Sequence, residues 1–363
     1  MMQNRVRWML WTALAATLAL GVLGVCVGSV GLENLLRAVL DPASDPERAA
    51  MARQIVWEIR LPRTVGAWAA GALLGLAGAV AQGLFRNPLA DPYLLGSASG
   101  ASLGVALALA AMGGAAGMLG GSGGSGSLAQ GGLVLGIFSN SLLVRLGLTG
   151  AAFLGAVAAI VLTLALSRGV GHTLRLLLAG VIVGAVLGAV THLVLMASPD
   201  SLQAMWAFML GSTAFVGWVS LTLMATAWLV SLVAAWLLAR VLDALSLGDA
   251  TAQSLGLPVV PMRAALVGVL ALATGTAVAQ TGLIAFVGLA APHLVRSAVK
   301  TTHSQLMVLA SLVGGVLLMA ADTLARWLIA PQELPVGVLT AVLGGGYLLW
   351  LMHRGPAKVG GAL

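Results

Sequence analysis

Residues 60–104 read RLPRTVGAWAAGALLGLAGAVAQGLFRNPLADPYLLGSASGASLG, and this stretch predicts the fold. An arginine-flanked proline at 60–63 opens an apolar run about one bilayer thick. That run closes on a compact polar turn, RNPLADP at 86–92, and a second apolar run starts at once. The backbone groups of such a turn would go unpaired in lipid. The turn must therefore lie at one membrane surface or line a protein-walled path, with Arg60 and Arg63 near the other surface.

The composition of the whole chain predicts a polytopic membrane protein. Of the 363 residues, 60% are apolar and only 8% are charged, and the mean hydropathy is +1.04. A soluble domain carries roughly a quarter charged residues. The apolar runs are long and continuous rather than alternating with period two, which disfavours a β-barrel. The 48 glycines predict closely packed helices. The expected fold is all-α, with residues 1–363 forming one transmembrane domain.

Ten membrane helices are predicted, with both termini in the cytoplasm, near 8–31, 64–85, 93–112, 150–167, 174–197, 214–239, 263–280, 283–299, 306–328 and 335–353. The first run has the roughly 20 residues needed to span. A cleaved signal peptide, with an apolar region of about 7–15 residues, is the alternative. A polar outer loop is expected at 32–59. The Gly/Ser-rich region 113–149 is expected to be an outer loop with a re-entrant or surface helix.

The net charge of +7 favours basic residues kept on the cytoplasmic side over a nucleic-acid partner. If 113–149 does not cross the bilayer, that side holds 11 of the 18 basic residues, namely Arg5, Arg7, Arg86, Arg168, Arg175, Arg240, Arg263, Arg296, Lys300, Arg354 and Lys358. If it did cross, the basic residues at the ends of all the following helices would face outward. The charge distribution therefore predicts that 113–149 stays on the outer side.

The sequence contains no motif for a nucleotide, a nucleophile or a metal. A phosphate-binding P-loop needs a lysine directly after glycine, but Lys300 follows Val299 and Lys358 follows Ala357. There is no Gly-x-Ser-x-Gly elbow, and the single cysteine, Cys26, excludes a Cys-based metal site. We therefore expect that the chain is not an enzyme and binds no cofactor. If ATP drives its activity, ATP with Mg²⁺ is bound by a separate polypeptide.

A polar island separates two predicted spans between Arg240 and Arg263. Each half of it ends in glycine, at Gly248 and Gly256, and Asp249 is a favourable N-cap for the second half. The island predicts two short helices joined at Gly248. A plain inter-helical loop is the alternative, but two capped helices favour a docking surface for another protein.

Seven motifs occur in one order along the chain: IRLPR at 59–63, RNPLADP at 86–92, LLLAG at 176–180, SLGLP at 254–258, GLIAFVGLAAPH at 282–293, DTLAR at 322–326 and ELPVG at 333–337. Together they resemble the permease subunits of ABC importers for iron–siderophore complexes, haem and cobalamin. The resemblance covers about residues 54–353, apart from 113–149. At 344–347 the chain reads GlyGlyGlyTyr, where the family often has Gly-x-Pro and an aromatic residue.

The resemblance implies a homodimer in the bacterial inner membrane with the translocation path at the dimer axis. Two ATP-binding subunits would dock inside and a periplasmic substrate-binding protein outside. It assigns docking of the binding protein to Arg60, Arg63 and Arg326, and the cytoplasmic gate to Asn87, Leu89 and Thr173. It also assigns coupling to the ATP-binding subunits to 241–258, which includes Leu247, Gly248, Asp249, Ser254, Leu255 and Gly256.

Each of these residues also has a simpler interpretation. Arg60 and Arg63 are also explained by side chains that reach toward the membrane surface. Asp322 and Arg326 are four residues apart and would pair on one helix face. His192 lies at membrane depth, where an ionisable residue is a functional candidate, and imidazole is a common haem ligand. A histidine that packs between helices is its alternative. His293 follows Pro292 near a helix end and best fits a capping or helix-shape role.

The resemblance, through the motif RNPLADP at 86–92, favours import of an iron complex, either haem or an iron–siderophore, by alternating access. A cobalamin importer is the first alternative. An ion-coupled secondary transporter would keep acids inside the membrane and show repeated halves, but Asp322 is the main buried acid here. A membrane scaffold without transport would leave the island at 241–258 unexplained.

Overall fold

The computed structural model describes residues 2–27, 46–119, 142–167 and 173–353, and within these ranges the regular structure is helical, without strands. The helices are α1 Met2–Cys26, α2 Pro46–Gln54, α3 Leu61–Phe85, α4 Ser97–Leu119, α5 Leu142–Leu166, α6 Thr173–Ala197, α7 Leu202–Leu210, α8 Trp218–Ser246, α9 Asp249–Ser254, α10 Val259–Thr281, α11 Val287–Ala298, α12 His303–Leu328 and α13 Val336–His353. A π-helical segment, Ile55–Arg60, joins α2 to α3, and short 3₁₀ helices cover Pro92–Leu95 and Pro199–Ser201.

Ten of these helices coincide in order with the ten predicted spans, and the all-α fold class is confirmed. Within the described ranges, seven segments are long and apolar enough to cross a bilayer: Asn4–Cys26, Ala50–Phe85, Leu146–Leu166, Leu174–Ala197, Trp218–Ser246, Val259–Thr281 and His303–Leu328. Helices α4 and α13 contain shorter apolar segments. Helix α11 has 12 residues, too few to cross by itself. The number of ten spans stays a prediction.

Two predicted outer loops are partly helical. The segment predicted at 32–59 lies outside the described residues up to position 45, but from Pro46 it is helical and runs without a break into α3. In the region 113–149, α4 continues to Leu119 and α5 begins at Leu142. The re-entrant or surface helix predicted there falls mostly on residues 120–141, outside the described residues.

Helix α3 is the centre of the fold. Of its 25 residues, 22 are buried, and it packs against α1, α8, α10, α11 and α12. Its run of Gly, Ala and Leu presents apolar atoms on every side, which is the pattern of a helix surrounded by protein. The five neighbouring helices therefore position the body of α3 and, through it, the two polar segments at its ends.

Glycines let the backbones around α3 approach each other closely. A Cβ atom added at Gly71 would lie 2.2 Å from the carbonyl oxygen of Gly314 in α12, and one at Gly75 would lie 2.2 Å from that of Ala310. One at Gly78 would lie 1.6 Å from the carbonyl oxygen of Gly288 in α11. These distances are far below van der Waals contact, so no other residue type fits. The prediction of helices packed on small residues is confirmed.

The glycine triplet near the end of the chain also has a packing role. Helix α13 continues through it as one helix. A Cβ atom at Gly344 would lie 2.3 Å from Cβ of Phe286, which has the left-handed φ of 68°. Because Gly344 has no side chain, Phe286, which directly precedes α11, can pack against α13.

Replacing Gly75 with alanine should destabilise the folded chain by about 1–3 kcal/mol, because the new methyl group would overlap the Ala310 carbonyl. The matched control is Gly268→Ala in α10, where a Cβ atom would meet nothing within 4 Å. There alanine should be neutral or stabilising by up to about 1 kcal/mol through helix propensity. Thermal unfolding in detergent measures both. Equal shifts for the two variants would contradict the packing of α3 on α12.

Candidate functional site at the two ends of helix α3

An ion-pair network whose members are buried except for Glu333, here called the Arg63 cluster, lies at the first turn of α3. Its members are Arg63, Thr213, Asp322, Arg326 and Glu333. Arg63 Nη2 lies 3.1 Å from Asp322 Oδ1, and Arg63 Nη1 lies 2.8 Å from Glu333 Oε2. Arg326 Nη2 lies 3.0 Å from Asp322 Oδ2, and the Thr213 hydroxyl donates to Oδ1 of the same carboxylate. Asp322, which is 1% exposed, is therefore a shared counter-charge for two arginines.

Arg326 of the cluster and the neighbouring Arg60 both bind the end of α1. Arg60 Nη1 donates to the carbonyl oxygens of Val25 (3.1 Å) and Cys26 (3.0 Å). Arg326 Nη1 donates to those of Gly24 (2.7 Å) and Val27 (2.8 Å). The last carbonyls of a helix lack intrahelical partners and carry partial negative charge. The guanidinium groups supply those partners and join α1 to α3 and α12.

The structure places all three predicted docking arginines inside the chain. The exposed fractions are 5% for Arg60, 8% for Arg63 and 3% for Arg326. These side chains do not extend toward the membrane surface. Their guanidinium groups instead bind carboxylates or carbonyl oxygens of the protein. The predicted Asp322–Arg326 pair is present. Docking stays a prediction, and a partner carboxylate would have to compete with Glu333, whose side chain is 37% exposed.

The other end of α3 is the predicted polar turn, and local hydrogen bonds shape it. Arg86 ends the helix with a left-handed φ of 50°. The Asn87 side chain accepts from the N–H of Leu89 (2.9 Å), and Asp91 accepts from the N–H of Tyr93 (2.8 Å). These are the local turns that Asn and Asp favour. Burial raises the pKa of Asp91, and the Tyr93 N–H opposes that rise.

Neighbouring segments hold the turn in place. The Tyr93 hydroxyl donates to the Ile284 carbonyl oxygen (3.0 Å), and a Cβ atom at Gly180 of α6 would lie 2.0 Å from the Leu94 carbonyl oxygen. Of the predicted gate residues, Asn87 and Leu89 are exposed together on the turn. Thr173 is the first residue of α6, and its side chain lies outside the described part of the chain. The gate role of the three residues stays a prediction.

The predicted coupling segment contains one separate helix rather than two. Helix α8 continues to Ser246, so the first predicted short helix is the end of α8. The chain then turns at Gly248, with φ of 108°, into α9, and Gly256 follows α9 with φ of 78°. The first half stays helical because nothing breaks the helix before Gly248.

Asp249 does not cap α9, contrary to the prediction, and instead forms two ion pairs. Its Oδ1 lies 2.5 Å from Nη2 of Arg86 and 2.7 Å from Nη2 of Arg263 in α10. Two guanidinium groups offer the carboxylate ion pairs with full positive charges, and these compete with the backbone N–H groups that a cap would use. This arrangement, here called the Asp249 bridge, joins the predicted gate turn to the predicted coupling segment.

The two histidines named from the sequence have different surroundings. His192 is exposed on α6, and its Nδ1 lies 2.7 Å from the Gly188 carbonyl oxygen of its own helix. It is therefore not packed between helices of this chain, and contact with a substrate stays a prediction. The ring of His293 lies 6.0 Å from that of Tyr347 in α13, centroid to centroid. The described residues contain no group of three or more metal-ligating side chains.

A model of the FecCD transport family matches residues 14–354. The chain belongs to this family. Membership gives the chain a role in transport and confirms the resemblance found in the motifs.

Curated relatives and solved structures agree with this assignment. The hemin transport system permease protein HmuU of Yersinia pestis is 38% identical over 302 residues, covering 82% of this chain and 83% of the relative. The vitamin B12 import system permease protein BtuC of Salmonella paratyphi A is 34% identical over 353 residues, covering 97% and 96%. A solved structure described as an inward-facing conformation of a metal-chelate type ABC transporter aligns with a TM-score of 0.78 at 26% identity, covering 96% and 99%. PsaBC from Streptococcus pneumoniae shares the fold, with a TM-score of 0.56 at 16% identity over 85% and 97%.

Neutralising Asp322 should destabilise the folded chain strongly. Asp322→Asn leaves two buried guanidinium groups without their shared charge, and breaking a buried pair costs about 3–5 kcal/mol. Asp200→Asn, at an exposed aspartate, is the control and should change stability by less than about 0.5 kcal/mol. Thermal unfolding in detergent and the yield of folded protein measure both variants. A native-like Asp322→Asn protein would show that the Arg63 cluster does not stabilise the fold.

Proposed function

We propose that this chain is the permease subunit of an ATP-driven importer that moves an iron complex, haem or an iron–siderophore, from periplasm to cytoplasm. The observation that carries the proposal is the match to the FecCD family over residues 14–354, together with the similarity to the haem permease HmuU. The chain provides the path, and the substrate crosses without chemical change. ATP hydrolysis takes place on separate subunits.

Cobalamin is the second candidate substrate. The similarity to BtuC extends over 97% of this chain, further than the similarity to HmuU, although at lower identity. Haem and cobalamin are both metal chelates, and the solved structural relative is described as a metal-chelate type ABC transporter. The proposed substrate class is therefore a large metal chelate, with iron complexes placed first.

The proposed assembly is a homodimer in the bacterial inner membrane, with both termini in the cytoplasm. An exposed apolar face on α6 fits contact with a second copy or with lipid; it includes Leu174, Leu178, Ile182, Val186 and Leu193. The binding protein would dock at Arg60 and the Arg63 cluster, and two ATP-binding subunits would dock at α9. Closure of the ATP-binding subunits would move α9 and open or close the path near the turn at 86–92.

Transport by the purified complex tests the function. Vesicles containing the permease and its ATP-binding subunits, with the binding protein supplied, should accumulate radiolabelled haem or ferric siderophore when ATP is present. A non-hydrolysable ATP analogue is the control and should abolish accumulation. Uptake of cobalamin in place of both iron complexes would establish the second candidate. Failure to accumulate any of the three chelates would contradict the proposal.

A test of binding-protein docking needs a variant that removes a positive charge without disrupting the fold. Arg63→Glu is unsuitable because it would place three carboxylates together with Asp322 and Glu333. Arg60→Gln is better, because its amide can still donate to the carbonyls at the end of α1. It should weaken binding-protein affinity about tenfold, the loss of roughly 1.4 kcal/mol expected from one interfacial charge pair.

The control for docking is Arg53→Gln, at an exposed arginine on α2. Affinity is measured by titrating the binding protein onto nanodisc-embedded complex, with unfolding temperature as a check on the fold. Unchanged affinity in Arg60→Gln, or an equal loss in Arg53→Gln, would contradict docking through Arg60.

A further inference from the structure

We propose that the Asp249 bridge transmits movement of α9 to the turn at 86–92, with Arg86 and Asp249 as positioning residues. The inference rests on the proposed importer function, and it names the link between ATP-driven motion and the path. It starts from the observation that a single carboxylate oxygen contacts two arginines from different parts of the chain, Arg86 after α3 and Arg263 in α10.

The two arms of the bridge differ in exposure. The Arg263 side chain is 2% exposed, whereas those of Arg86 and Asp249 are 38% and 36% exposed. An ion pair that involves a buried group is screened less by water than an exposed pair. Asp249 is therefore held more firmly by Arg263, and the contact with Arg86 is the weaker arm. Both arms end on the Asp249 carboxylate and so depend on the position of α9, but the weaker Arg86 arm is the one whose geometry changes at the lower energetic cost when α9 moves.

Helix α9 is built to move as a small unit. It has six residues and lies between Gly248 and Gly256, which both have a positive φ. Ala252 is its one buried residue. Backbone rotation at such glycines meets little steric resistance. A push on α9 would therefore displace it about these two positions and carry the Asp249 carboxylate with it.

The turn on the other side of the bridge is locally rigid. Asn87 N–H donates to the Gln82 carbonyl oxygen (3.2 Å), and Leu89 N–H donates to the Asn87 side chain (2.9 Å). Ala90 N–H donates to the Asn87 carbonyl oxygen (3.0 Å). The residues after Arg86 are thus bonded to each other and to the end of α3. A pull on Arg86 would move Asn87 and Leu89 with it rather than deform the turn.

The primary test variant is Arg86→Gln, which removes the weaker arm and leaves the Arg263–Asp249 pair and the surface of α9 intact. In reconstituted vesicles, substrate imported per ATP hydrolysed should fall about 5-fold or more, the usual lower range for coupling between sites. ATP hydrolysis and co-purification of the ATP-binding subunits should not change. Arg86→Lys should retain much of the import per ATP hydrolysed. Arg240→Gln, at an exposed arginine near the end of α8, should leave that ratio unchanged.

A double-variant cycle separates the bridge from docking of the ATP-binding subunits. If Arg86 and Asp249 act through each other, Arg86→Gln combined with Asp249→Asn should import no less per ATP than Asp249→Asn alone. Additive losses would overturn the inference, and so would an Arg86→Gln variant with an unchanged ratio. If the unmodified chain hydrolyses ATP but imports no chelate, the proposed function fails instead.

A spectroscopic readout tests the bridge without any substrate. A spin label at Leu89→Cys, in a Cys26→Ser background, reports on the exposed turn of the assembled complex. ATP binding should change the mobility of the label when Arg86 is present and should have little effect in Arg86→Gln. An identical ATP response in both proteins would overturn the inference.

Discussion

The contact between the backbones of α3, α11 and α12 is the constraint on which the rest of the structure depends. Carbonyl oxygens of α11 and α12 occupy positions where a Cβ atom of α3 would otherwise lie. Only glycine permits that approach, and it lets a 25-residue helix lie at the centre of the chain with 22 residues buried. Dispersion contacts and the exclusion of lipid then hold the centre, since burial of apolar surface gives little advantage within a bilayer.

Burying α3 has a consequence for the charges at its ends. Arg63 cannot reach water easily, so it needs partners inside the protein, and Asp322 and Glu333 supply them. Isolated buried charges are costly, whereas a paired and hydrogen-bonded network is tolerated. At the opposite end of α3, Asp249 forms an ion pair with buried Arg263 and a second ion pair with exposed Arg86. Each end of α3 is thus joined by charge to a segment distant in the sequence.

The sequence predicted the helices well because the bilayer demands long apolar runs, and the turn at 86–92 because a polar run cannot lie in lipid. The Asp322–Arg326 pair was predictable because it is local to one helix. The pairs Arg63–Glu333 and Arg86–Asp249 were not, since their partners are 270 and 163 residues apart and only tertiary packing brings them together. The predicted cap at Asp249 failed for the same reason, because its competing partners were invisible in the local sequence. The start of α2 was missed because the charged residues at 46–60 suggested a loop.

We propose that the two ends of α3 face opposite sides of the membrane, one toward the binding protein and one toward the ATP-binding subunits. Cysteine accessibility tests it directly, using Glu58→Cys near the Arg63 end and Ser254→Cys on α9 in a Cys26→Ser background. Both positions are exposed on the chain. A membrane-impermeant thiol reagent applied from the periplasmic side should label position 58 in intact cells and position 254 only after permeabilisation. Labelling of both positions in intact cells would show that the two ends of α3 do not face opposite sides of the membrane.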